Sequence, residues 1–201
     1  MNMKIKAVLF DLGGVYFEDG TDKFLKILSG KTGKFYRDLY PIFREGKSLE
    51  YRKNEISGKD FFDWASKQVG AGLSGDELNE MWLSQYIEVP GIRKLIEGLK
   101  EKGVRTTVLS DNVAERISYL ENKYHFLSLF DDVVLSYQVN LTKTSAEIFS
   151  LALSRLNIKP EAAVFVDDRE INLEIARKTG IKSILYTSVE NLQRDLDKMV
   201  V

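Results

Sequence analysis

The sequence predicts an α/β fold in which a parallel sheet is interrupted, after its first strand, by a block of helices. Five brief apolar runs recur along the chain, at Ile5–Phe10, Val104–Leu109, Val133–Ser136, Ala163–Val166 and Ser183–Tyr186. Amphipathic helical patterns separate the later runs. Residues 17 to 89 hold aromatics at helical spacings and no buried strand.

Each run is continuous rather than alternating in apolarity, which suits strands covered on both faces, as in a parallel sheet. Ile92, Leu95, Ile96 and Leu99 fall on one helical face, as do Ile148, Leu151, Ala152 and Leu156. Lys100-Glu101-Lys102-Gly103-Val104 and Arg177-Lys178-Thr179-Gly180-Ile181 read alike. Each has cations in a last helical turn, a glycine for a left-handed cap, then a β-branched residue opening a strand. That punctuation implies βα units wound into one sheet. In the 17–89 stretch, Phe35, Tyr36, Leu39, Tyr40 and Phe43, then Phe61, Phe62, Trp64 and Ala65, keep helical spacing. Loop signals at Gly30, Gly46, Gly58 and Gly70 separate them, and Ser74-Gly75-Asp76-Glu77 opens a further helix. The expected division is a core of residues 1–16 and 89–201, with helices over 17–88.

Of the 201 residues, 44% are hydrophobic and 29% charged, a balance that can bury a core. Lys and Arg number 29 against 30 Asp and Glu, so there is no overall basic excess of the kind nucleic acid selects. The absence of cysteine excludes disulfides, thiolate metal sites and a cysteine nucleophile. His125 is the only histidine, which excludes a multi-histidine metal site; within Lys123-Tyr124-His125-Phe126 it reads as a partly buried residue at a helix end. The apolar run after Met1-Asn2-Met3-Lys4 is too short for a secretory signal, and no segment approaches a membrane span. The expectation is a cytoplasmic protein with no membrane partner.

Ligands of an open parallel sheet bind beyond the C-terminal ends of its strands. The first run ends Phe10-Asp11-Leu12-Gly13-Gly14, a carboxylate with glycines that admit a ligand to the backbone, or an ordinary turn. The second ends Leu109-Ser110-Asp111-Asn112, a hydroxyl and amides suited to a phosphate oxygen, or a helix N-cap. After the third, Lys143 precedes a helix, where a cation opposes the helix dipole and calls for an anion; a solvated surface lysine is the alternative. The fourth ends Val166-Asp167-Asp168, two carboxylates that repel unless a cation sits there, or again a cap. With no histidine or cysteine available, oxygen donors favour Mg²⁺ over zinc. All four features share one predicted sheet edge. Carboxylates, a lysine and a hydroxyl together are what metal-assisted attack on a phosphoryl group requires.

This ordered set resembles the haloacid dehalogenase superfamily over nearly the whole chain. Asp11–Val15 is similar to its first motif, Ser110 to its second, Lys143 to its third and Asp167-Asp168 to its fourth. The helices over 17–88 stand where a type-1 cap is inserted into a Rossmann-like core. Phe-Asp-Leu-Gly-Gly-Val most resembles the branch of glucose-1-phosphate phosphatase-like proteins and relatives of epoxide-hydrolase N-terminal domains. The resemblance implies a Mg²⁺-dependent phosphatase acting on a small phosphomonoester, a sugar phosphate or similar. It implies Asp11 as nucleophile and metal ligand, forming an aspartyl-phosphate. The Gly13 carbonyl and Asp168 would be further ligands, with Asp167 acting through a bound water and Asn172 orienting the metal loop. Ser110 and the Asp111 amide would hold a phosphate oxygen, and Lys143 would neutralise nucleophile and phosphoryl oxygens.

The sequence departs from the family pattern at three positions. Gly13 stands where most phosphatases of the family carry a second Asp as general acid/base, a loss of roughly 10²–10⁴-fold unless another group or water substitutes. Glu18 and Asp19 are the nearest replacements, and otherwise read as a solvated acidic turn. Thr144 replaces the usual proline after the lysine, and Asp111 replaces an asparagine. Two other readings follow. In a 2-haloacid dehalogenase Asp11 would attack carbon, although the Asp167-Asp168 pair would then repel a carboxylate substrate. In a catalytically weakened protein a phosphate ligand would bind without turnover. Among residues of the helical stretch, Phe35, Tyr36, Phe61, Phe62, Trp64 and Trp82 read as its own core rather than as substrate contacts; Arg44, Arg52 and Lys53 could reach a polar substrate, with solvated charge as the default reading.

Overall fold

The computed structural model of the chain describes residues 4–200. Residues 1–3, part of the N-terminal stretch read above, and residue 201 lie outside the described residues. The strands are β1 (Ala7–Phe10), β2 (Arg105–Ser110), β3 (Asp132–Leu135), β4 (Ala163–Asp167) and β5 (Lys182–Leu185). They form one parallel sheet in the order β3-β2-β1-β4-β5, each close to its apolar run. This is the α/β, Rossmann-like architecture. The chain leaves β1 toward β2 and β3, then returns to build β4 and β5 on the other side. That reversal opens a crevice at the C-terminal ends of the central strands. Phe10 lies opposite Val108 of β2 and Val166 of β4, so Asp11, Ser110 and Asp167 come to the same edge.

Alternate β1 residues serve opposite faces, as the pleat requires. Ala7 and Leu9 join Leu109, Phe149 and Phe165 in one apolar cluster, whereas Val8 and Phe10 join Val108, Val166 and Phe130 in the other.

Between β1 and the next core helix lie α1 (Gly20–Thr32), α2 (Tyr36–Arg44), α3 (Lys47–Arg52), α4 (Gly58–Val69) and α5 (Gly75–Leu83). Ser74 starts α5 with a reciprocal capping box to Glu77. The remaining helices are α6 (Ile92–Glu101), α7 (Ala114–Tyr124), α8 (Ser136–Val139), α9 (Ala146–Leu156), α10 (Glu170–Lys178) and α11 (Val189–Asp197). Gly103 and Gly180 follow α6 and α10 with φ of 74° and 88°, the left-handed conformation expected of them.

The two connections to α1–α5 run side by side. Glu18 N–H donates to Ile87 O at 2.9 Å and Val89 N–H to Tyr16 O at 2.9 Å. Inside the block, Phe24 meets Phe43 edge-on at 4.8 Å and Tyr51 stacks on Phe61 at 4.9 Å. Phe35 does not belong to this core. It is 66% exposed, because it precedes α2 as an extended N-cap residue and the buried face begins at Leu39. His125 ends α7 as expected but is exposed: it takes the left-handed cap position at φ 48°, and the neighbouring Phe126 occupies the buried position. Among the described residues no helix is long and apolar enough to cross a membrane.

Candidate active site

Asp11 follows β1 directly and is buried. Its Oδ1 accepts the Leu12 N–H at 2.7 Å and the Ser110 hydroxyl at 2.8 Å. Its Oδ2 pairs with Lys143 Nζ at 2.8 Å, and the same ammonium reaches Asp167 Oδ2 at 2.6 Å. Lys143 is 2% exposed, so it is not a solvated surface lysine. Burial alone would lower its pKa, but the Asp11, Asp167 and Asp111 carboxylates outweigh that and hold it above the usual lysine range. Asp167 also accepts the Asn172 side-chain amide at 3.0 Å and the Arg169 N–H at 2.8 Å.

The capping alternatives at these strand ends are not what the structure shows. The N-cap of α7 is Val113 and that of α10 is Arg169, neither with a side-chain capping bond. The Asp111 carboxylate turns aside, and its Oδ1 accepts the Lys143 N–H at 2.9 Å. It therefore ties the Lys143 loop to the end of β2. Thr144, in the place of a proline, exchanges a hydrogen bond with Thr142 at 2.7 Å between their hydroxyls.

Oxygens of Asp11, Asp167 and Asp168 all lie within 4.8 Å of one another. One lysine cannot neutralise three carboxylates. Burial, then the neighbouring Asp11 and Asp167, push the Asp168 carboxyl up to about 7. Burial likewise raises Asp11. Asp168 Oδ1 is buried with no hydrogen-bond partner among the described residues, and a buried orphan oxygen asks for a donor or a cation. A hard divalent cation such as Mg²⁺ fits this all-oxygen set. Gly14 shapes the cluster: at φ +89° it packs against the Asp168 carboxylate, where a Cβ would collide with Oδ2. Gly13 is different. A Cβ there would meet only Tyr86 Cε1, at the ordinary distance of 3.7 Å.

Above Asp11 lies a cavity of about 60 Å³. Ser110 and Lys143 line its floor, and Arg44, Arg52, Arg116 and Tyr86 line its walls. The solvated reading is corrected here at three residues. Arg52 is 5% exposed rather than solvated, donating to Ser48 O at 3.0 Å and Phe43 O at 3.2 Å. Arg44 is also mostly buried, and its Nη2 holds Asp19 Oδ1 at 2.6 Å. Asp19 is accordingly a half-buried, ion-paired residue that also caps α1, not a solvated turn. Arg116 and Tyr86 are cavity residues that sequence reading passed over. The one available signal is spacing: Arg116 stands one helical turn after Asn112, and its Nη1 donates to Asn112 Oδ1 at 3.2 Å.

The profile of the haloacid dehalogenase-like hydrolases matches residues 74–186 of this chain. The chain is 29% identical over 205 residues to a phosphorylated carbohydrates phosphatase of Thermotoga maritima, covering 94% of this chain and 87% of that protein. It is 27% identical over 218 residues to mouse acyl-CoA dehydrogenase family member 10, covering 97% of this chain but only 19% of that much longer protein. Among solved structures, a HAD family enzyme of Bacteroides thetaiotaomicron in complex with magnesium and inorganic phosphate superposes with a TM-score of 0.73 at 23% identity. The match covers 92% of this chain and 96% of that one.

Proposed function

The chain belongs to the haloacid dehalogenase-like hydrolase family, and from that premise we propose that it is a Mg²⁺-dependent phosphatase of small phosphomonoesters, with Asp11 as nucleophile. The observation that carries this reading is the buried Ser110–Asp11–Lys143–Asp167 chain at the switch point of the sheet. Phosphatase relatives such as the Thermotoga protein support it. The polar, arginine-lined cavity suits the anionic end of a sugar phosphate or similar ester.

Asp11, Asp168 and the Gly13 carbonyl would hold Mg²⁺, with Asp167 and Asn172 behind them. The bound ion supplies charge neutralisation for a phosphoryl group brought against a carboxylate. The Leu12 N–H and Ser110 hydroxyl fix the Asp11 carboxylate, so it meets phosphorus without a conformational search. Lys143 opposes the effect of burial on Asp11 by favouring its carboxylate form, and offers its charge to the transferring oxygens. A carboxylate oxygen forms the new P–O bond, the ester P–O bond breaks, and the alcohol departs with a proton from solvent. Water then attacks phosphorus and returns Asp11 and phosphate. Gly13 offers no side chain for either proton transfer, so water in the cavity must serve.

In the same reading, residues 1–16 and 89–201 form the core and 17–88 the cap. The cavity is too small to admit a sugar phosphate from solvent as it stands, so the cap opens to load substrate and closes to exclude bulk water. The test is phosphate release from sugar phosphates, nucleotides and phospho-acids, with and without Mg²⁺. Hydrolysis that requires Mg²⁺ and disappears in Asp11→Asn is expected. Halide release from 2-haloacids without metal, and no phosphate release, would replace this reading with a dehalogenase.

A further inference from the structure

The cavity walls carry more positive charge than a single phosphoryl group uses. Lys143 is shared by Asp11 and Asp167, and Arg44 is paired with Asp19. Arg52 and Arg116 remain. They are 5% and 3% exposed, and neither forms an ion pair among the described residues. Arg52 binds only neutral oxygens, of Ser48 and Phe43.

Arg116 is the more telling of the two. Its guanidinium lies over the Trp82 ring at 3.7 Å and the Tyr86 ring at 4.6 Å. Those rings are themselves fixed, since Thr21 Oγ1 takes the Trp82 indole N–H at 2.9 Å and bonds the Tyr86 hydroxyl at 2.7 Å. Among the described residues only Nη1 has an acceptor, Asn112 Oδ1; Nε and Nη2 are buried and find no partner there. Nε and Nη2 lie on one edge of a guanidinium, the edge that grips two oxygens of a carboxylate or phosphate. A rigid, half-satisfied fork beside a second buried arginine is costly unless an anion arrives. Burial lowers the pKa of both arginines, and each also feels neighbouring arginine charge.

The transferred phosphoryl group already has Ser110 and Lys143 at the cavity floor. We infer that the substrate carries a second oxyanion, a carboxylate or another phosphate, and that Arg116, backed by Arg52, receives it. This substrate class rests on the phosphatase reading above, and Arg116 acts as a specificity residue rather than a catalytic one.

Two matched pairs of compounds test it. 3-Phosphoglycerate and glycerol 3-phosphate differ only in carboxylate against hydroxymethyl; fructose 1,6-bisphosphate and fructose 6-phosphate differ in a second phosphate. In the native chain with Mg²⁺, kcat/KM for the doubly anionic member of at least one pair is expected to be about 10- to 100-fold higher, the scale of one charge-assisted contact. Which pair responds identifies the anion. Arg116→Gln should collapse that ratio toward one, and Arg116→Lys, which keeps charge but loses the fork, should restore only part of it. Thermal melting confirms that both variants fold. Calorimetric binding of the same four compounds to Asp11→Asn reads preference without turnover. Equal values within both pairs, or an Arg116→Gln loss shared equally by both members, overturns the inference even if phosphate is released. Preferred binding to Asp11→Asn with no turnover by the native chain leaves the inference standing and removes the phosphatase reading.

Discussion

Gly14 and Asp168 are in contact with no room for a side chain between them: the bare Gly14 α-carbon, at φ +89°, faces the Asp168 carboxylate. Gly14→Ala should therefore do two things at once. It strains the backbone by about 1–2 kcal/mol, and it displaces Asp168 from Asp11 and Asp167. Chemical denaturation should register the first, and a weakened Mg²⁺-induced rise in melting temperature the second. A variant that keeps its stability and its metal response would show that the contact is incidental.

The Asp168 carboxyl, pushed up to about 7 from an ordinary 3.8, makes stability pH-dependent when divalent cations are chelated. Below about pH 4 the group is neutral in both the folded and unfolded chain. As pH rises toward 7 the unfolded chain ionises first, so the folded state loses stability across that window and no more above it. Asp11, also raised by burial, acts in the same direction. Melting temperatures in chelator should fall between pH 4 and 7, Mg²⁺ should recover the loss at pH 7.5, and Asp168→Asn should flatten the slope.

Among the described residues, Lys143 is the only cation paired with the buried carboxylates Asp11 and Asp167. Lys143→Met leaves both hydrogen-bonded but without a counter-charge, and should cost about 3–5 kcal/mol in a denaturant titration. Combining it with Asp11→Asn removes one stranded charge, so the double variant should be more stable than Lys143→Met alone. A double variant less stable than the single one would contradict this account.

Gly13→Asp introduces a carboxylate where a Cβ meets nothing closer than Tyr86 Cε1 at 3.7 Å. The variant should fold. It should raise kcat on alkyl phosphates, whose leaving groups need a proton, by roughly tenfold or more, and leave aryl phosphates less affected. Parallel steady-state measurements on the two ester types decide the matter.

The residues that sequence alone exposes are those that end a buried strand. Asp11, Ser110 and Asp167 each sit at the close of an apolar run, and a parallel sheet can put such positions only at one edge. Lys143 is legible for a related reason, as a cation placed against a helix dipole. The arginine wall is not legible. The helix carrying Arg52 is six residues long, too short for a periodicity to assign a buried face. Arg116 faces inward beside Ile117 on α7, where a charged residue next to an apolar one reads as the rim of an amphipathic stripe. Their burial depends on the docking of α1–α5 against α7 and α8, through contacts such as Tyr51 hydroxyl to Glu115 at 2.7 Å and Ser136 hydroxyl to Arg52 O at 2.6 Å. Such pairs are separated by 64 and 84 residues, beyond the reach of any local pattern.

The paired crossing at Tyr16–Glu18 and Ile87–Val89 has a consequence for how the chain tolerates change. Because the two connections are hydrogen-bonded to each other where they leave the sheet, they hold the chain on either side of α1–α5 together at that point. Loop-closure entropy grows only slowly with the length beyond. A change in the length of the intervening helices therefore need not shift the register of the strand edge below, where Asp11 and Ser110 stand.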